Sequence, residues 1–395
     1  TAEPRDLGTV ERAIANAYAR NAQGDDAWEH RLRAIDAYRR AGTVPPAGLY
    51  AEMLAIPVYN WGFFRAPPPD ELVLRLLDEG EGVARGSGDM PSLTRLLVQR
   101  SYFDGRPELA EEASRLVDGS GGPLPYADVL QRLAMVEVLT GEFARAERTY
   151  ERVAELVRSG GRVDELEYLM FRSTAVLLLG DVARADELAA EMLHASAGTG
   201  AHLRSHALQA KELVLVYRGD WSGVAELARE AVRLVEENPT TPWCLRGGYA
   251  VAAGAVASVL LGRRGDADPF LAAAVKMMAP GPARLNTMLL PAAMTGGEAP
   301  LPEESAVVRP WHRQLIDPAR VHEPIGLAML QRWPELPPYL ARLDAAAAKG
   351  ARVAGAVASA IREEEAGGGR GHGALRQLGC HGLSELIAFR PAARR

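Results

Sequence analysis

The sequence predicts an all-α protein, an array of antiparallel helix pairs, on three observations. A short motif recurs at fixed spacing: GEFARAE at Gly141 returns as GDVARAD at Gly180 and GDWSGVA at Gly219, 39 residues apart each time, with a weaker copy, GRPELAE, 36 residues earlier at Gly105. The apolar residues around these glycines share a register, which marks a stacked repeat. Ala and Leu dominate while aromatic residues make up only 6%, a balance that favours helices over strands.

The register gives the second helix of each pair. Counting from the glycines, Phe143, Val182 and Trp221 stand two residues on, and Ala146, Ala185 and Val224 five on. Tyr150, Ala189 and Ala228 follow at nine, Val153, Met192 and Ala231 at twelve, and Ala154, Leu193 and Val232 at thirteen. A period of 3.6 residues places these positions on one face, so the helix is amphipathic. The first helix lies before the glycine, where Leu130, Leu169 and Leu208 stand eleven residues back. Its runs LQRLAMVEVL, LEYLMFRSTAVLLL and LQAKELVLVY are apolar on more than one side, as a helix between neighbours requires. The glycine stops the first helix at positive φ, and the acid after it favours the positive end of the second.

The remaining elements follow in order. Residues 9 to 42 read as a helix pair turned at Gly24-Asp25-Asp26, with Trp28, Leu32 and Ile35 striping the second helix. Pro45-Pro46 opens a helix to about Ile56, and YNWGFFRAPPPDE at 59 to 71 is a loop with its rings tucked under the array. After Pro239 and Pro242 comes a small-residue helix from about Leu245 to Leu261, whose Gly247, Gly248 and Gly254 permit close packing. Residues 293 to 310 read as a turn-rich, flexible insertion, and helices resume near Pro318. GGGRGHG at 367 to 373 reads as a linker, and HGLSELIAF as a C-terminal cap. The expected organisation is one array over 1–395: N-terminal pairs at 8–118, the best-matching repeats at 119–237, degenerate pairs at 238–365, and linker and cap at 366–395. Repeat length runs from about 36 to 43 residues by this reading.

Charge and composition exclude several functions. The net charge is −6, and 45 basic residues are scattered among 51 acidic ones, without the basic stripe of a nucleic-acid binder. Cys244 and Cys380, the only cysteines, are far apart and read as packing residues in a reducing cytoplasm. Neither an apolar span nor the pattern of a signal peptide is visible, so the chain is expected to be soluble and cytoplasmic, with no membrane partner.

Chemistry-bearing motifs are few. GGGRGHG follows an acidic helical segment rather than a strand and lacks the Lys of a phosphate loop. There is no GxSxG, no HExxH and no pair of CxxC motifs. His202 and His206 stand four apart on one helix face, with His194 nearby, but without a clear third ligand they read as surface or cap residues. Cys380-His381 are sequence neighbours that point apart, with no orienting carboxylate. No catalytic, cofactor or metal residue is assigned.

The helix–turn–helix unit resembles the tetratricopeptide repeat over Leu93 to about Glu237. It has a small residue five after the turn glycine and an aromatic or apolar residue two after it. It departs from that family in unit length, in the missing closing Pro and at the small first-helix position, held by Ala134 and then by Ser173 and Glu212. Two further stretches, LRQLGCHGLSELIAFRP at 375 to 391 and GFFRAPPPDELVLRLLDEGEGVAR at 62 to 85, look like parts of the helical tails of bacterial multidomain regulators. Those regulators carry a class III nucleotide cyclase or DNA-binding module and a signal-transduction ATPase ahead of the tail. The resemblance implies a regulatory tail, consistent with a chain that begins at Thr1.

The expected architecture is thus an α-α superhelix acting as a non-enzymatic scaffold. A protein, a peptide or a small effector would bind in its concave groove, and the parent's own ATPase domain is a candidate partner. Arg132, Arg172 and Lys211, eight or nine residues before their glycines and off the packing register, are the candidate groove residues. The rival readings are an enzyme on a helical toroid, using the C-terminal histidines and the Trp311-His312 loop, and a structural oligomerisation module.

Overall fold

Each of the three best repeat turns is closed by its glycine at positive φ, +84° at Gly141, +92° at Gly180 and +81° at Gly219. The hydrogen bonds are those of a helix that stops and reverses. At the second turn, Gly180 N–H donates to Leu177 O and Asp181 N–H to Val176 O, which satisfies carbonyls the helix end leaves open. Asp181 and Asp220 then cap the next helix, accepting from the backbone N–H groups of Arg184 and Gly223, both at 3.0 Å.

These turns come from a computed structural model that describes residues 3–21, 23–59, 63–64, 66–104, 106–119, 127–158, 164–238, 244–278, 282–296, 321–367 and 372–390. The described residues form twenty α-helices and no strand. The chain divides into two compact units, residues 1–136 with 151–163, and residues 137–150 with 164–395. The sequence reading treats 1–395 as one array; this division runs through the seventh and eighth helices.

The first unit holds α1 (Pro4–Arg20), α2 (Gly24–Arg40), α3 (Ala47–Tyr59), α4 (Asp70–Ser87), α5 (Met90–Asp104) and α6 (Pro107–Gly119), with the start of α7 (Ala127–Leu139) and the end of α8 (Phe143–Arg158). From α1 to α6 each helix packs on the next, and α3 also packs on α5. Ile35, Leu49, Met53, Leu54, Leu77, Leu93 and Leu96 are fully enclosed, each contributing about 1.5–3 kcal/mol on removal from water. Trp28 and Ile35 are buried as expected, and Leu32 is half-buried. The expected turn at Gly24-Asp25-Asp26 is corrected: Gly24 already opens α2. A Cβ there would stand 2.8 Å from the backbone of Phe63, so this position needs a small residue for close approach rather than for a turn. In the loop after α3, Phe64 is tucked in edge-on to Trp28, with ring centroids 6.3 Å apart; Trp61 lies outside the described residues.

The second unit continues with α9 (Glu165–Leu179), α10 (Val182–Ala195), α11 (Ala201–Arg218), α12 (Trp221–Glu237), α13 (Leu245–Leu260), α14 (Ala267–Met277) and α15 (Pro282–Thr295). From α9 to α14 each helix packs on the next. First helices also touch first helices, α9 on α11 and α11 on α13. Every register position out to twelve residues beyond the glycine is buried, from Phe143, Val182 and Trp221 to Val153, Met192 and Ala231; Ala154, Leu193 and Val232 are partly buried. Gly248 and Gly254 serve close packing as expected, since a Cβ would meet Met278 Cγ at 2.2 Å and Ala228 Cβ at 2.6 Å respectively.

The chain then returns along its own repeats. α16 (His322–Met329) packs on α15, and α17 (Pro337–Ala348), α18 (Arg352–Glu365), α19 (His372–Gln377) and α20 (His381–Ala388) follow. α18 packs on α9 and α20 on α11, which explains why α9 and α11 are buried nearly all round. The three repeat turns each receive a piece of this segment: Lys349 at Gly141, Arg352 and Leu378 at Gly180, and Gly382 at Gly219. The linker expected at 367–373 is shorter, because α19 already begins at His372, where the buried ring bonds Glu364 and Ser384. Most of the 293–310 insertion, Trp311, His312, Pro318, Gly105, Pro239 and Pro242 lie outside the described residues. Among the described residues no helix is long and apolar enough to cross a membrane.

Candidate functional site

Arg172 and Lys211 occupy equivalent places in successive repeats and make equivalent bonds. Arg172, on α9, donates from Nη2 to Glu147 Oε1 at 2.6 Å and from Nη1 to the Tyr168 hydroxyl at 2.5 Å. Lys211, on α11, donates to Asp186 Oδ1 at 2.5 Å, and Arg218 shares that carboxylate at 2.9 Å. Glu147 and Asp186 each stand six residues after a turn glycine, while Arg172 and Lys211 stand eight before the next one. The pairs therefore recur with the repeat and tie a second helix to the first helix of the following pair. Burial is the largest influence and opposes the Arg172 charge, but the hydrogen bonds and charge attraction of Glu147 and Tyr168 together outweigh it and raise the pKa. Arg132 lies in the first unit with its guanidinium 5.1 Å from the centre of the Tyr59 ring.

Removing the Arg172 side chain is expected to lower stability by about 1–3 kcal/mol, the range for a partly buried, charge-assisted pair. Arg33→Ala, at an exposed i,i+4 pair with Glu29, is expected to cost less than about 1 kcal/mol. Urea unfolding of Arg172→Ala, Glu147→Ala and the double variant gives the coupling; additive losses would show that the two side chains do not act as a pair.

Polar side chains gather where α11 meets α13. Arg246, buried near the start of α13, donates to Gln209 Oε1 at 2.8 Å and lies 5.3 Å over the Phe171 ring of α9. One turn beyond Gln209, Glu212 is fully buried, and its two carboxylate oxygens have no hydrogen-bond partner among the described residues. Burial pushes its pKa well above the ordinary carboxylate value and so favours the protonated, neutral acid. Its place is the small-residue position that holds Ala134 and Ser173 in the other repeats, both also buried. Glu137 is a contrast: burial raises its pKa too, but it accepts from Thr149 Oγ1 at 2.8 Å and pairs with Arg145 at 2.6 Å.

At the N-terminal end of the same helix pair, the structure joins three residues that the sequence reading left separate. His202 and His206 share a face of α11 with ring centroids 4.5 Å apart. Cys244 is the N-cap of α13; its Sγ accepts from Gly247 N–H at 3.2 Å and lies 3.7 Å from Ser205 Oγ. The potential ligand atoms of His202, His206 and Cys244 all lie within 4.8 Å of one another. Desolvation lowers the His202 pKa to about 4 and that of His206 well below its ordinary value, so both rings are neutral at neutral pH. It also raises the Cys244 pKa, against the Gly247 N–H and the nearby Arg246 charge. The signal that would have found Cys244 is topological. Consecutive first helices are neighbours, so the starts of α11 and α13 meet.

Cys380 and His381 do not form a pair: burial pushes the Cys380 thiol up to about 12, while His381 is exposed. A different C-terminal histidine is engaged. His372 Nδ1 lies 3.0 Å from Ser384 Oγ, and its Nε2 lies 3.0 Å from Glu364 Oε1, with Arg390 on the other Glu364 oxygen. All three helices α18, α19 and α20 contribute to this chain of bonds, which fastens the C-terminal segment to itself.

No protein-family model matches the chain, and comparison with curated proteins finds no significant match.

Proposed function

We propose that this chain is a non-catalytic interaction scaffold, a tetratricopeptide-like α-solenoid that serves as the cytoplasmic sensor tail of a larger bacterial signalling regulator and recognises helical segments of protein partners. The observation that carries the reading is the docking of α20 on a repeat turn. Gly382 meets the turn at Gly219, and Trp221 Nε1–H donates to Glu385 Oε2 at 2.6 Å across 164 residues of sequence. A repeat edge that accepts a helix of its own chain through glycine contact and one part-buried hydrogen bond has the chemistry to accept a similar helix from a partner.

An exchange experiment tests this. A protease site is placed in residues 368–371 of the full chain, the chain is cleaved, and a labelled peptide of residues 372–390 is added. The label is expected to enter the cleaved protein and to be excluded from the uncleaved one. A peptide that enters neither, or both equally, would sink the reading.

The enzyme alternative draws on Ser384–His372–Glu364. Ser384 is buried within α20, with its own N–H bonded to Cys380 O at 3.3 Å, so the serine lacks exposure to a substrate. The alternative requires covalent labelling of Ser384 by a fluorophosphonate; an unlabelled protein removes it.

A further inference from the structure

We propose that His202, His206 and Cys244 form a site for a divalent cation of the zinc type, which bridges the consecutive first helices α11 and α13. The inference is independent of the interaction reading. Two imidazoles one turn apart on a helix and a thiolate from the neighbouring helix are a nitrogen and sulfur donor set suited to zinc, and three protein ligands leave the fourth position of a tetrahedron open.

The distances fit. Zinc bonds of about 2.0–2.1 Å to nitrogen and about 2.3 Å to sulfur place tetrahedral donors about 3.5 Å apart. The three donor atoms, within 4.8 Å of one another, reach that spacing by side-chain rotation of about an ångström. Burial favours the Cys244 thiol, but fixed neighbours favour the thiolate a metal would bind. Cys244 is fixed by its own N–H, which donates to Met277 O at 2.9 Å, and its sulfur receives the Gly247 N–H at a helix N-terminus. The neutral imidazoles need lose no proton on binding. Cys244 is a thiol with a raised pKa, so binding releases one proton to solvent as the metal–sulfur bond forms.

The site also accounts for residue choices that packing alone leaves unexplained. Two histidines and a cysteine occupy the seam between α11 and α13, where Leu208, Ala250 and Val251 belong to one apolar cluster. A Cβ at Gly247 would stand 3.3 Å from Ser205 and 2.5 Å from the Met277 methyl group, so glycine there keeps its amide close to the sulfur.

The test uses the full chain, stripped by a chelator and titrated with Co2+ as a spectroscopic probe. One equivalent is expected to bind with a thiolate-to-cobalt charge-transfer band and tetrahedral visible bands, all removed by Zn2+. Cys244→Ser is expected to abolish the charge-transfer band, Cys380→Ser to leave it, and His206→Asn to weaken binding more than about tenfold, as first-ligand loss exceeds the effect of losing an outer partner. Absence of a thiolate band in the unaltered protein, or its survival in Cys244→Ser, overturns the proposal. Should Cys244→Ser fail to fold, the unaltered protein decides.

Discussion

Gly382→Ala is expected to release α20 from the repeats. The added Cβ would stand 1.9 Å from Val216 O and 2.6 Å from Gly219 N. Both obstacles are backbone atoms at the end of α11, where Gly219 N–H is already bonded to Leu215 O at 2.9 Å. A flexible side chain would swing aside; a helix terminus held by its own hydrogen bonds does not. Overpacking of this kind costs about 1–3 kcal/mol, and more when the clash is with backbone. Relief by undocking would expose Leu383, Leu386 and Ile387, all buried, and break the Trp221–Glu385 bond. The expected result is a lower urea midpoint and new protease cleavage around α19 and α20. Gly373→Ala is the control, because its Cβ would meet nothing within 4 Å. If the two variants unfold and cleave alike, α20 does not dock as described.

The second large effect belongs to Glu212. Below its ordinary pKa of 4.5, folded and unfolded chains both hold the proton and the acid adds no pH dependence. As pH rises above 4.5, the unfolded chain releases the proton while the folded chain, with its raised pKa, retains it. Stability is then lost at up to about 1.4 kcal/mol per pH unit, until the buried group itself ionises. Glu212→Met, similar in volume and apolar, is expected to remove this loss and to be more stable than the parent at neutral pH by about 1–3 kcal/mol, since the parent buries a polar group with no hydrogen-bond partner among the described residues. The partly buried histidines of the same helix act in the opposite sense. His202 and His206 have lowered pKa values, so they favour the fold above the ordinary histidine range and cost stability as pH falls. Subtracting the variant's urea stabilities from the parent's across this range isolates Glu212. Parallel curves would mean that Glu212 ionises in the fold as freely as in the unfolded chain.

These two residues show what the sequence makes legible. Glu212 is visible as a departure from a register, because Ala134 and Ser173 hold its place in other repeats. The same register says that the place is buried, since helical periodicity fixes which face each residue takes. The three glycine turns are legible for a similar reason: a helix that reverses within a few residues needs positive φ, and glycine reaches it at least cost. Gly382 is not legible. It falls in a short helix whose sequence gives no sign that Gly219, far away in the chain, approaches it within van der Waals contact.

The candidate site divides in the same way. Arg172 and Lys211 are singled out by their offset from the turn, and the structure places both against acids that share a repeat offset of their own, Glu147 and Asp186. The pair of histidines is visible as an i,i+4 spacing. Cys244 becomes their neighbour only when α13 lies against α11.

The sequence by itself determined the all-α class, the helix-pair register and the turns, because each depends on residues within a few turns of one another. Tertiary structure alone decided that the C-terminal helices return to the repeat turns and that Cys244 joins His202 and His206. These contacts join segments separated by tens to more than a hundred residues. They are selected by shape, burial and hydrogen bonding between completed helices, for which local periodicity carries no information.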